Sequence, residues 1–190
     1  MTGLVLAGGA SSRMGRDKAT LRSDGGRLVD LAVSALRDVC ERVLIAAGER
    51  VIADVAAECI PDAEGEGPLA GIVSGLRAAD TPLVAVLAVD MPYASAEVFR
   101  RLAGAWQGEA GVAAAVDGSL QPLHAVYATS QREQYAELLA AGERSPRRAL
   151  VLLGARVIDA AVWGDIGPAF AHNVNSPADL SSLRAPTERR

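Results

Sequence analysis

The 190-residue sequence predicts an α/β fold, a three-layer sandwich with helices on both faces of a mostly parallel central sheet. Three observations carry that expectation. Short apolar runs alternate with segments of helical spacing through the first half of the chain. Those runs are apolar at every position, which means burial on both faces, as in a parallel sheet covered by helices. Hydrophobic residues make up 50% of the chain but aromatics only 4%, so Ala, Val and Leu must build a core whose helices lie close on the strands.

The elements follow in order. Residues 3–7 (GLVLA) read as a strand ending in a glycine loop. Residues 29–39 carry Val29, Ala32, Val33 and Leu36 at helical spacing. Residues 43–47 (VLIAA) read as a strand, 69–79 as a helix, and 83–89 as a strand introduced by Thr81-Pro82. Strand–helix–strand order implies right-handed crossovers. Further on, Ser95 caps a helix running to about Trp106. Residues 111–116 and 123–128 flank Asp117-Gly118-Ser119, a β-hairpin signal. Ser130 with Glu133 reads as a capping box, and Gly142 as that helix's stop. Ser145-Pro146 and Ser176-Pro177 each place a capping serine before a proline suited to the first helical position.

Composition excludes several functions. The net charge is -4 without a basic stripe, which argues against general nucleic-acid binding but leaves room for a small anionic ligand on a local cation cluster. No apolar run approaches the roughly 18 residues that span a bilayer. The first apolar run, 4–7, is too short for a signal peptide. Cys40 and Cys59 form no CxxC pair and share no zinc-like spacing with His124 and His172. They read as buried small hydrophobes in a reducing, cytoplasmic setting.

The chemistry concentrates after the first strand, in Leu6-Ala7-Gly8-Gly9-Ala10-Ser11-Ser12-Arg13-Met14-Gly15-Arg16-Asp17-Lys18. Glycines allow close backbone approach to a ligand, and successive N–H groups in such a loop can cradle an anion. Arg13, Arg16 and Lys18 supply charge to match a triphosphate. The pattern is neither GxGxxG nor GxxxxGK[ST], because Arg16 follows Gly15, so a dinucleotide fingerprint and a P-loop are both disfavoured. A second signal is Asp90, a carboxylate directly after the buried run 83–89, at the strand end where α/β folds bind ligands. Carboxylate oxygen there suits Mg²⁺ shared with substrate phosphates. Asp62, before the glycine-rich stretch 65–71, is either part of a ligand site or a turn former.

The long form LAGGxSSRMGxDKAxL resembles the signature of the molybdenum-cofactor guanylyltransferases. Further matches run along nearly the whole chain: Pro61-Asp62, Gly67-Pro68-Leu69-Ala70-Gly71, Val89-Asp90-Met91-Pro92-Tyr93, Gln121-Pro122-Leu123 and Asn173-Val174-Asn175-Ser176-Pro177. The resemblance implies a Rossmann-like sheet of the nucleotide-diphospho-sugar-transferase type. It implies one nucleotidyltransferase domain over 1–190, with 1–93 mainly binding nucleotide, 94–183 mainly binding acceptor, and a polar tail at 184–190. The implied reaction transfers GMP from GTP to molybdopterin or Mo-molybdopterin, with Mg²⁺ as cofactor and pyrophosphate released. Leu6, Ala7, Gly8, Gly9, Arg13, Lys18, Asp62 and Asp90 would bind nucleotide, Asp90 also holding the metal. Arg13, Lys18 and Asp90 would carry catalysis, and Gly71, Arg144, Asn173 and Asn175 the acceptor. Molybdopterin-delivering proteins and apo-molybdoenzymes are the implied partners.

Other readings stay open on residues alone. The loop would also serve a molybdopterin cytidylyltransferase or a sugar-phosphate enzyme of the same fold, and a non-catalytic delivery protein could bind the same cofactor. Asn175 could join Asp90 on the metal, or both asparagines could hold the pterin. Arg147 and Arg148, in the first turn of a helix where cations oppose the dipole, either face an anion or form a solvated face. His124 follows Pro122-Leu123 in a segment that the resemblance assigns to the acceptor side, and is either part of that side or, the favoured reading, a half-buried strand histidine. Two departures from the family pattern stand out: Gly26-Arg27-Leu28 lacks a proline, and Ala46-Ala47 replaces a side chain that could hydrogen-bond.

Overall fold

The apolar runs become strands, and their order sets the architecture. The computed structural model describes residues 1–8, 21–23, 26–48, 50, 52–63, 66–174 and 179. The strands are β1 (Thr2–Leu6), the short pair β2 (Arg22–Ser23) and β3 (Gly26–Arg27), β4 (Arg42–Ala46), β5 (Glu58–Ile60), β6 (Leu83–Ala88), β7 (Gly111–Val116), β8 (Ser119–Ala128) and β9 (Arg156–Asp159). The helices are α1 (Leu28–Arg37), α2 (Pro68–Ala78), α3 (Ala96–Gly104), α4 (Arg132–Ala140) and α5 (Pro146–Leu152). Seven strands form one sheet in the order β5-β4-β1-β6-β8-β7-β9, in which β8 alone runs against its neighbours.

Strand β1 lies at the centre, fully buried, with its two rows of side chains turned to opposite layers. Val5 belongs to the buried layer built with α1 and α3, while Leu4 and Leu6 face α2 in the opposite layer, which α4 and α5 complete. This is the expected three-layer sandwich. Helix α2 sits unusually close to β1. A Cβ at Gly71 would lie 2.9 Å from Leu6 Cδ2 and 3.1 Å from Ala46 Cβ, and one at Gly75 would overlap Leu4. Chain order reverses at β1 and β6: α1 leads from β1 to β4 on one side, and α2 leads back across to β6 on the other. That switch point opens a cleft beyond the carboxyl ends of the two strands, the place where such sheets bind ligands.

Several local readings hold. Ser95 Oγ accepts the Val98 N–H at the start of α3, and Ser145 Oγ accepts the Arg148 N–H with Pro146 in the first turn of α5. Gly142 has φ +94 and closes α4 through Gly142 N–H to Leu139 O and Glu143 N–H to Leu138 O. Cys40 is buried, which pushes its thiol up to about 11. Arg27 grips Asp30 through two hydrogen bonds of 2.7 and 2.8 Å and donates to Ala53 O and Asp54 O.

Others need correction. Ser130 does not cap α4: Thr129–Gln131 form a 3-10 turn, the helix starts at Arg132, and its N-cap Gln131 makes no side-chain bond. The second hairpin strand begins at Ser119, not Leu123, because Asp117 (φ +49) and Gly118 (φ +72) complete a two-residue turn. Pro122 lies inside that strand, where the β7 register shifts between Ala113 and Ala115 and no ladder donor is needed. The helix at Ser176-Pro177 lies outside the described residues.

Candidate active site

The site begins where β1 ends. Leu6 pairs with Ala46 on β4 and Ala88 on β6, so its carboxyl end is flanked on both sides. On the β4 side lies a pocket of about 230 Å³ lined by Leu6, Gly8, Ala46, Asp62, Gly67, Pro68 and Gly71. Asp62 follows β5 and points its carboxylate into this space. A Cβ on Gly8 would lie 3.0 Å from Asp62 Oδ2, one on Gly48 3.8 Å from it, and one on Gly71 3.5 Å from Oδ1. The three glycines therefore keep the carboxylate clear of side chains. Asp62 Oδ1 is buried and has no hydrogen-bond partner among the described residues. A buried carboxylate oxygen without a donor is costly, and a ligand N–H would satisfy it. The pocket mouth is the start of α2, where Gly67 has φ +83 and no side chain caps the first turn.

On the β6 side stands Asp90, two residues past the strand and partly exposed. The Val89 N–H bonds Leu6 O at 3.1 Å, so Asp90 is held at the same strand end that forms the pocket wall. The Val174 N–H donates to Asp90 O at 2.8 Å, which lays the segment carrying Asn173 alongside. Asn173 is exposed and Val174 buried.

Residues 3–157 match the MobA-like NTP transferase domain. The chain belongs to the MobA-like NTP transferase family. It is therefore a nucleotidyltransferase. A relative from Chloroflexus aggregans named probable molybdenum cofactor guanylyltransferase is 34% identical over 97% of this chain and 94% of its own. A relative of the same name from Deinococcus radiodurans is 38% identical over 96% and 93%. Among solved structures, molybdopterin-guanine dinucleotide biosynthesis protein A from Archaeoglobus fulgidus superposes with a TM-score of 0.80 at 25% identity, covering 95% of each chain. The 2-C-methyl-D-erythritol 4-phosphate cytidylyltransferase from Thermus thermophilus, at TM-score 0.67 and 22% identity over 94% of each chain, shares the fold.

The geometry of this nucleotidyltransferase refines the site read from its sequence. Leu6, Gly8 and Asp62 meet in one pocket, with Asp90 across Leu6. Gly9, Arg13, Lys18 and Asn175 lie outside the described residues. The N–H groups of Ala7 and Gly8, expected to hold phosphate, instead both donate to Ala46 O, at 2.9 and 3.0 Å. The start of the loop is thus pinned to β4. Gly71, expected on the acceptor side, lines the pocket with Leu6, Gly8 and Asp62. Arg144 lies behind Gly67 rather than in the pocket: a Cβ on Gly67 would sit 3.5 Å from Arg144 Cβ. Its guanidinium donates to Leu139 O at 2.8 Å.

Arg147 and Arg148 are both exposed, Arg148 with 74% of its side chain open, as a solvated face requires, and the anion nearest Arg148 is the protein's own Glu143 carboxylate. Arg147 bonds Leu120 O at 2.9 Å and Ser119 Oγ at 3.1 Å, and Arg148 pairs with Glu143 at 3.0 Å. The Ser145 N–H, before the neighbouring cations, holds the Glu143 carboxyl below its usual range. Arg147 ties α5 to the hairpin, and Arg148 makes a surface ion pair with the turn before the helix. His124 is entirely rather than half buried, and burial pulls its pKa down to about 4 against the raising effect of backbone groups at Phe170 and Ser95.

One cation escaped the sequence reading. Arg50, after β4, donates to Ala7 O and, at 3.2 Å, to Ala47 O, bridging the loops on either side of the pocket. Its only sequence signal is a position just past a strand end, which many surface arginines share.

Proposed function

We propose that the protein transfers GMP from GTP to the terminal phosphate of molybdopterin or Mo-molybdopterin, yielding the guanine dinucleotide form of the cofactor and pyrophosphate. The observation that carries this reading is the Asp62 carboxylate in its glycine-walled pocket, with a buried oxygen that no described residue satisfies, next to the strand end that bears Asp90. Guanine offers adjacent N–H donors on its Watson–Crick edge, which suit a carboxylate. Gly8 and Gly71 leave room for a flat ring against the backbone.

A phosphate acceptor is already ionised at neutral pH, so its oxygen attacks the α-phosphorus of GTP without a strong general base. The bond from the α-phosphorus to the bridging oxygen breaks, and that oxygen leaves with pyrophosphate. Arg13 and Lys18 neutralise charge growing on the phosphates, and Asn173 and Asn175 line the acceptor's approach. The donor set around Asp90 fits Mg²⁺, which takes one or two carboxylates with substrate phosphates rather than a protein cage; among the described residues no cluster of three ligating side chains forms. Bound there, Mg²⁺ would supply charge neutralisation at the α-phosphate. Catalysis is then positioning and electrostatics. Cofactor-delivering proteins, apo-molybdoenzymes and a cytoplasmic setting belong to the same reading; no helix among the described residues is long and apolar enough to cross a membrane.

The test supplies the protein with Mg²⁺, molybdopterin and either GTP or CTP, and follows dinucleotide product and pyrophosphate. GTP is expected to be the donor. Asp90→Ala and Lys18→Ala should each lower turnover on the order of several hundred-fold with the fold intact. Preference for CTP would move the protein to cytidylyl transfer, and near-normal turnover in either variant would remove that residue from the mechanism.

A further inference from the structure

His124 is the most deeply enclosed titratable group near the acceptor side, and the reaction above does not use it. It lies on β8 opposite Leu87, with β6 between it and β1, and with no exposed surface. Its ring is clamped between two others: Phe99 of α3 at 4.3 Å, tilted by 36°, and Phe170 at 5.0 Å, edge-on at 88°. Nδ1 lies 3.3 Å from Phe170 O, and only a protonated Nδ1 can bond a carbonyl. Nε2 makes no hydrogen bond of good geometry among the described residues, although a Ser95 backbone group also acts on the ring.

A leucine or valine would fill a core position without leaving a polar atom unpaired, so packing alone does not explain a histidine here. Its contacts do. Phe99 lies in the first turns of α3, which follows the Asp90 loop. Phe170 belongs to the 3-10 turn Pro168–Ala171, which leads directly into Asn173 and to the Val174 N–H bond with Asp90 O. One ring therefore touches both chain segments that border the acceptor side, from behind.

We propose that His124 is a positioning residue for the acceptor: through Nδ1–H to Phe170 O and the two flanking rings, it holds the Asn173 segment against the Asp90 loop. The acceptor half of this inference rests on the function proposed above; the holding half does not. His124 touches no substrate, and its effect passes through Phe170 and Val174.

Three measurements test it. In the unaltered protein, ¹⁵N shifts of the His124 ring should show Nδ1 protonated and Nε2 bare; the opposite tautomer removes the bond and overturns the inference without any variant. His124→Phe keeps an aromatic ring and loses the donor. It should speed amide exchange at Val174 about tenfold, the scale of one lost hydrogen bond, while the Val86 amide in the core stays protected. His124→Asn, which keeps a donor near the Nδ1 position, should recover most of that protection. Unchanged Val174 exchange in His124→Phe overturns the inference whatever the transfer assay gives. In steady-state transfer, His124→Phe should raise KM for molybdopterin about tenfold and leave KM for GTP unchanged. Faster Val174 exchange with an unaltered acceptor KM would refute the acceptor role. If the unaltered protein transfers no nucleotide, the proposed function fails, and exchange and tautomer alone decide whether His124 holds the segment.

Discussion

At the scale of single residues, Asp62 explains its neighbours better than they explain it. Gly8, Gly48 and Gly71 come from three separate stretches of chain, yet each would bring a Cβ within 4 Å of the same carboxylate. Spacing in the sequence cannot reveal that convergence, because the three stretches meet only when β1, β4 and α2 are assembled. The same carboxylate yields a sharp expectation. Asp62→Asn keeps the shape but turns one acceptor into a donor that would face guanine N–H groups. GTP binding, measured by calorimetric titration, should weaken about tenfold to a hundredfold, the range for hydrogen bonds to a charged group. An unchanged Kd would take Asp62 out of base recognition. Asp90 was legible for the opposite reason: an acidic residue directly after a fully apolar run advertises a strand end without any tertiary knowledge. Arg50 was not, since its bonds to Ala7 O and Ala47 O are made by a loop residue with no local signature.

At the scale of elements, α2 and β1 form the tightest contact around the site. Gly71 and Gly75 are one helical turn apart on the buried face, and the side chains they admit, Leu6 and Leu4, are two apart on one face of β1. Gly75→Ala should therefore destabilise the protein by about 1 kcal/mol or more, because overpacking against the buried Leu4 outweighs the gain in helix propensity. Urea unfolding checks this, and a stabilised variant would mean that α2 is free to shift. Caps and glycine stops were readable at Ser95, Ser145 and Gly142 because they act within a few residues. The capping box at Ser130 failed because β8 carries its ladder as far as Ala128, so a 3-10 turn takes up the serine before α4 begins. Strands β5 and β9 were invisible: each is short, with no fully buried residue, and exists through pairing with β4 or β7.

At the scale of the whole molecule, the buried His124 couples stability to pH. Its pKa falls from 6.5 to about 4 on folding, so between those values the unfolded chain binds a proton that the folded protein refuses. Its full contribution is present above pH 6.5, declines as the pH falls toward 4, and loses nothing further below that. The shift corresponds to at most about 3 kcal/mol. Urea midpoints at pH 7 and pH 4.5 should fall further apart in the unaltered protein than in His124→Phe; equal differences would show that the imidazole is not held neutral. The comparison is needed because Glu97 and Asp165, held low chiefly by Arg101, also lose stabilising charge in acid. The sequence by itself determined the α/β layering, the central parallel strands and the strand-end place of Asp90, because burial on two faces and a carboxylate after an apolar run are written in contiguous residues. The tertiary structure alone decided which loop N–H groups are consumed by Ala46 O, that Gly71 lines the Asp62 pocket, and that the His124 ring packs against Phe170, just before Asn173. Those facts depend on contacts between residues tens of positions apart, and a linear pattern carries no distance in space.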